Sequence, residues 1–301
     1  LLRDAVALRM EADVPLGAFL SGGYDSSTVV SLMQAQSRRP VKTFSIGFHE
    51  KGYNEAVYAK EVARHLGTEH TELYVSAEEA MAVIPRLPAI YDEPFSDSSQ
   101  IPTFLVSKMT RGFVTVALSG DGGDELFGGY TRYSWGRNIW KKIGWMPFKM
   151  RKTLARGLNA LPTKAWDKIY YALEPLIPGT FQVSLPGDKV HKMAGILSCA
   201  SPEMMYRGLV SHWIPESVVM GGSESPTALT DETQWADLPD FTQRMMFLDL
   251  VSYLPDDILT KVDRASMGVS LENRSPLLDH RLIEWAWRLP PRFKKRDGQS
   301  K

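Results

Sequence analysis

The chain of 301 residues balances 35 Lys and Arg against 35 Asp and Glu, so its net charge favours neither a nucleic-acid partner nor an anionic membrane. Its one cysteine, Cys199, excludes an intrachain disulfide and a multi-cysteine zinc site and suits a reducing compartment. No apolar run reaches the roughly 18 residues of a membrane-spanning helix and no signal peptide opens the chain, so a cytoplasmic protein is expected, either one large α/β unit or about two domains.

Leu1 to Met10 begins inside an amphipathic helical pattern without an initiating Met or a cap, which implies residues upstream. An apolar strand near Gly17–Leu20 then runs into Ser21-Gly22-Gly23-Tyr24-Asp25-Ser26-Ser27 and a helix over Ser26–Gln36. Gly22 and Gly23 let backbone amides approach a ligand, Ser26 and Ser27 can cap the helix, and amides at a helix start bind phosphate. The spacing is neither that of an ordinary P-loop nor that of a dinucleotide fingerprint. Asp25 is the informative residue: a carboxylate beside phosphate is repelled unless a divalent cation lies between them, which points to Mg-ATP. The plainer reading is a strand-to-helix turn with a capping Asp.

Strands near Val41–Phe48 and Thr71–Val75 alternate with helices near Asn54–Leu66 and Ile101–Thr110, and Met81 to Pro94 reads as a helix followed by a Pro-punctuated loop. A strand over Phe113–Leu118 leads into a second loop, Ser119-Gly120-Asp121-Gly122-Gly123-Asp124-Glu125. Its three crowded carboxylates repel one another, so the cluster reads as a metal and amine site, with a solvated acidic turn as the alternative. The alternation predicts an α/β fold with a doubly wound, mostly parallel sheet over residues 1–129, ligands binding beyond the carboxyl ends of its strands.

Residues 130–239 read as a helical insertion holding six of the eight tryptophans with many basic residues. Aromatics interleaved with Lys and Arg suit a nucleic-acid or membrane face, but they also fill helix interfaces, and the second reading is preferred. Residues 240–301 are expected to return to the core as helices over Phe241–Tyr253, Asp256–Met267 and Asp279–Arg288, with Pro255 and Asp279 at helix starts.

In chain order, Val14-Pro15-Leu16-Gly17, the first glycine loop, Thr43 to Phe48, Asp92 to Ser99, Ser119 to Tyr130, and Lys261 to Met267 through Pro276 to His280 resemble the synthetase domain of glutamine-hydrolysing asparagine synthetases, in the ATP-pyrophosphatase (PP-loop) group. The resemblance implies an adenine nucleotide alpha hydrolase-like fold. It implies that Ser21, Gly22, Gly23, Asp25, Ser26 and Ser27 hold the β and γ phosphates of ATP. Leu20, Ile46, Ser119 and Gly120 would border the adenosine, and Asp25 and Asp124 would ligate Mg²⁺. Asp121 would contact the amino-acid substrate and help deprotonate ammonia, and Glu125 would support the metal or the substrate amine. Ser98 and Ser99 fall in the acceptor segment, or else cap the Ile101 helix.

The implied reaction turns aspartate, through β-aspartyl-AMP, into asparagine. Ammonia would come from an N-terminal glutaminase domain, and a lysine facing the α-phosphate is expected beyond Lys301; a homodimer stays open. Tyr24, where the family carries an aliphatic residue, and Asp121 keep two neighbours in view: a β-lactam synthetase-like enzyme and a polysaccharide-modifying amidotransferase. A non-catalytic nucleotide-binding module is the reading from another class.

Overall fold

The computed structural model describes residues 1–49, 55–174, 185–211, 220–221 and 225–294. The expected helix start at Asn54 and Trp213 lie outside the described residues. The chain divides into two compact units, one made of Leu1–Tyr130 with Met246–Lys301 and the other of Thr131–Met245.

The first unit is built on a five-stranded parallel sheet of β1 (Leu16–Phe19), β2 (Lys42–Phe48), β3 (Glu69–Val75), β4 (Val116–Leu118) and β5 (Glu272–Arg274), in the order β3-β2-β1-β4-β5. After β3 the chain returns across the sheet to lay β4 beside β1, so the order reverses between β1 and β4. Both glycine loops leave the carboxyl ends of those two strands, which is where open α/β sheets bind ligands. Ala18, Leu20, Val116 and Leu118 pack with Val29, Val30 and Met33 of the Tyr24–Gln36 helix. Phe44, Val114, Ala117 and Leu271 form a second apolar layer. Gly17 is fixed by that packing: a Cβ there would stand 2.7 Å from the Phe44 ring and 2.8 Å from the Lys42 carbonyl oxygen.

Several elements differ from the sequence expectation. β4 is shorter than Phe113–Leu118, because the amides of Phe113 and Val114 turn back to the Thr110 carbonyl at the end of the Gln100–Arg111 helix. Met81 to Pro94 is not one helix and a loop. A short helix, Ala77–Met81, ends where that stretch begins, and a 3₁₀ turn, Ile84–Arg86, and a second short helix, Leu87–Tyr91, follow. Pro85 and Pro88 occupy first-turn positions, where a missing N–H costs nothing, and Pro94 follows the last of these helices.

Pro255 does not start a helix either. The chain is helical without a break from Phe241 to Met267, with a π-helical stretch over Asp249–Leu259 that carries Pro255 inside it. The wider turn passes the hydrogen bonding around a residue that has no N–H to give. Asp279 does cap its helix, His280–Arg288, by accepting from the Arg281 amide at 3.0 Å. Arg281 and Arg9 also bind its carboxylate, tying this helix to Leu2–Met10 and holding the carboxyl far below its ordinary range.

The second unit is helical. Ile143, Ala155, Ala194, Ile196, Leu197 and Met205 form its core. Arg151 is buried there, donating to the carbonyls of Met146 (3.2 Å) and Cys199 (2.7 Å) with its guanidinium over the Trp140 ring. The expectation that tryptophans fill helix interfaces holds for Trp166, whose indole N–H donates to Leu158 at 2.9 Å, but not for Trp145, which is 74% exposed. No helix among the described residues is long and apolar enough to cross a membrane.

Candidate nucleotide site

A cavity of about 630 Å³ opens at the carboxyl ends of β1, β2 and β4, within the size range of small-ligand sites. Of the residues singled out from the sequence, Leu20, Ser21, Gly23, Asp25, Ser26, Ile46, Ser119, Gly120, Asp121 and Asp124 line it. Gly22, Ser27, Glu125, Ser98 and Ser99 do not.

The first loop is organised by its own hydroxyls. Ser26 Oγ accepts from the Ser21 amide (3.2 Å), shares a hydrogen bond with Ser21 Oγ (3.0 Å) and donates back to the Gly23 carbonyl (3.3 Å). The helix begins at Tyr24 with Gly23 as its N-cap and no side-chain cap, so Ser26 and Ser27 do not cap it as expected. Ser26 turns back to close the loop, and the amides of the first turn lack a side-chain acceptor. Ser27 Oγ is buried without a hydrogen-bond partner. Gly22 is forced, since its φ is +80° and a Cβ would stand 2.7 Å from the Ala59 amide nitrogen and Tyr58 Cβ.

The second loop packs directly on the first. A Cβ on Gly120 would stand 2.8 Å from the Ser26 amide nitrogen, and one on Gly123 would collide with the Asp25 carboxylate. Asp25 therefore reaches out of its own loop to rest against the backbone of the other. Ser119 Oγ donates to Asp121 Oδ2 at 2.7 Å and accepts from Asn273 at 3.2 Å, while the Ser119 amide donates to the Arg274 carbonyl at 2.9 Å. Thus β5, which the sequence reading missed, positions the Ser119–Asp121 pair.

Burial pushes the Asp121 carboxyl above its ordinary value, against the pull of Ser119, the Lys261 charge and Asn273. Glu125 is 1% exposed and accepts from the Tyr130 hydroxyl at 2.7 Å, so it stands behind the cavity wall; burial raises its carboxyl too.

Ser99 begins the Gln100–Arg111 helix without capping it. Its Oγ donates to Asp97 Oδ1 (2.7 Å) and accepts from Lys261 Nζ (2.8 Å), which also pairs with Asp97 Oδ2 at 2.7 Å. Burial alone would raise the Asp97 carboxyl, but the bonds from Lys261 and Ser99 outweigh it and hold it below the ordinary range. Ser98 is exposed. Thr103 and Val106, on the helix that Ser99 starts, and Val262, next to Lys261, form the cavity wall instead.

Lys261 was missed as a site residue. A signal existed, because Lys261, Val262, Ala265 and Ser266 form the buried face of the Thr260–Met267 helix, and a lysine on such a face needs a partner. Ser45, another unforeseen wall residue, is held by His70 at 3.2 Å, whose own ring binds Thr43 Oγ1 at 2.9 Å. Burial lowers the His70 pKa.

Asp25, Asp121, Asp124 and Glu55 line the cavity, and among the described residues no lysine or arginine does. Among the described residues no three His, Cys, Asp or Glu side chains form a group able to hold a metal ion. Two carboxylates, Asp25 and Asp124, facing one cavity do suit Mg²⁺, which takes one or two carboxylates and completes its shell with phosphate oxygens and water.

The asparagine synthase family model matches residues 1–301. The chain is 33% identical over 300 residues to asparagine synthetase [glutamine-hydrolyzing] 1 of Bacillus subtilis, covering 99% of this chain and 44% of that protein. It is 33% identical over 289 residues to a putative asparagine synthetase of Mycobacterium bovis (96% of this chain, 41% of that one). With a putative asparagine synthetase of Methanocaldococcus jannaschii it shares 38% over 270 residues (89% and 48%). The chain thus spans less than half the length of these curated relatives.

Proposed function

We propose, for a chain that belongs to the asparagine synthase family, that the cavity binds Mg-ATP and a carboxylic acid and joins them as an acyl-adenylate that ammonia converts to an amide. The observation that carries this reading is the seat of the Asp25 carboxylate on the Gly123 backbone, which makes two strand-end loops one acid-lined site. The acceptor is aspartate and the product asparagine. The enzyme works in the cytoplasm, its ammonia released from glutamine by an N-terminal glutaminase domain of the full-length protein.

The chemistry follows from charge. An oxygen of the acceptor carboxylate attacks the α-phosphorus, the bond to the β-phosphate oxygen breaks, and pyrophosphate leaves. Ammonia then attacks the acyl carbon, loses a proton and expels AMP. An anion approaching a polyanion needs its charge offset where it develops. Mg²⁺, held by Asp25 and Asp124, supplies that neutralisation when bound. Ser21, Gly22, Gly23, Ser26 and Ser27 cradle the β and γ phosphates, chiefly with the backbone amides of the loop and of the first helical turn, which has no side-chain cap. Leu20 and Ile46 form the apolar end that takes the adenosine, beside Ser119 and Gly120. Asp121, oriented by Ser119, faces the acceptor's amine and takes the proton from the attacking nitrogen; its raised pKa suits an acceptor of protons. Glu125 supports this acidic wall from behind, and Ser98 and Ser99 belong to the segment that shapes the acceptor end.

ATP/pyrophosphate exchange by the full-length protein across a panel of carboxylic acids tests the reading. Exchange that depends on aspartate is expected. Exchange with another acid but not aspartate would move the enzyme to a related carboxylate-adenylating activity, and none with any acid would remove the adenylation step.

A further inference from the structure

The chain as a whole is neutral, yet residues 131–170 hold ten Lys and Arg against a single acid, Asp167. That acid is engaged, since its carboxylate accepts from the Gly187 amide at 2.9 Å. Lys141, Lys142, Lys149, Lys152 and Arg156 are all exposed around the corner between the Thr131–Ile143 and Phe148–Asn159 helices. Large apolar side chains are exposed on the same corner: Trp145 is 74%, Leu154 48%, Met150 44% and Phe148 38% accessible.

The pattern is ordered. On the Phe148–Asn159 helix, Arg151 and Ala155 face the core, while Met150 and Leu154 form an outward apolar row one turn apart beside a basic row of Lys149, Lys152 and Arg156. Arg151 anchors the turn through the Met146 and Cys199 carbonyls. The Trp145 indole N–H is satisfied locally by the Lys142 carbonyl at 2.8 Å, which leaves the ring's apolar body in solvent. An aromatic anchor and an apolar row set among lysines match the interface of a bilayer, where rings sit at headgroup depth and ammonium groups meet lipid phosphates. A nucleic-acid backbone has no use for the Met150–Leu154 row, and a second copy of so basic a face would be repelled.

We propose that the corner over residues 141–156 docks on an anionic lipid bilayer, independently of the nucleotide cavity. The test is co-sedimentation of the full-length protein with phosphatidylcholine vesicles, with and without phosphatidylglycerol. Binding to the anionic vesicles only, weakened by salt and accompanied by a blue shift of Trp145 fluorescence that Trp145→Ala removes, is expected. Replacing Lys141, Lys142, Lys149 and Lys152 together by Glu should cut partition by at least about a hundredfold, since each basic group near such a surface is worth roughly fivefold. Nucleotide affinity should be unchanged. Equal partition of the Glu variant, no binding of the wild type to anionic vesicles, or binding of single-stranded RNA through these lysines without vesicle binding would each overturn the proposal.

Discussion

The two glycine loops do the same topological job and are held in opposite ways. The loop after β1 closes on itself, Ser21 to Ser26, and leaves Ser21, Gly23 and Tyr24 exposed. The loop after β4 is buried or half-buried throughout and held from afar, by Asn273, Ser275 and Arg274 on or beside β5, about 150 residues downstream. A site can therefore pair one locally encoded half with one half that exists only once the fold is complete. Mutations in the first half should act through local strain or lost charge, and those in the second through support that comes from elsewhere.

The largest effect is expected at the strained glycine of the first loop. Gly22→Ala must hold a side chain at φ +80° against the backbone of Ala59, and the left-handed cost plus overpacking amounts to about 3 kcal/mol or more. Urea unfolding should show it as a lowered midpoint with unchanged slope. Next is Asp25→Asn, which removes charge but little packing. Pyrophosphate release should fall at least about a hundredfold with the circular dichroism spectrum intact. An unfolded variant would instead assign the Asp25 carboxylate to the contact that holds the two loops together.

How far each half was readable follows the same division. The first loop, its strand and its helix were legible because apolar run, glycines and helix are contiguous, and the neighbouring β2 and β3 followed from their own patterns. β5 was not, since Glu272-Asn273-Arg274 is three polar residues with no strand signature, and it becomes a strand only through its register with Val116–Leu118. The π-helical passage of Pro255 and the Lys261–Asp97 pair were hidden for the same reason. Their partners are tertiary, and a proline in sequence reads as a boundary whatever the helix around it does.

Lys261→Met probes that distant support. Breaking a pair in which Lys261 is 10% and Asp97 18% exposed should cost about 2 kcal/mol near neutral pH, less than for a fully buried pair. The Asp97 carboxyl is depressed in the folded protein, so its contribution is present above the ordinary carboxylate range and is lost as pH falls through the folded value. The stability gap between wild type and Lys261→Met should therefore close under acid; a gap independent of pH would assign Lys261 a packing role only. A smaller effect is expected from Asp121→Asn. It should slow amide formation from ammonium roughly ten- to a hundredfold, as for the loss of one charge-assisted hydrogen bond, with nucleotide affinity retained. Equal losses in both would place Asp121 beside the metal instead of the acceptor.

That the two loops make one nucleotide site is tested most directly by calorimetric titration of the full-length protein with ATP, with and without Mg²⁺, in the wild type, Asp25→Asn and Asp124→Asn. Binding should require Mg²⁺ and be lost when either carboxylate is removed, although Asp25 and Asp124 stand on different loops. Binding that persists without magnesium, or that survives both substitutions, would contradict it.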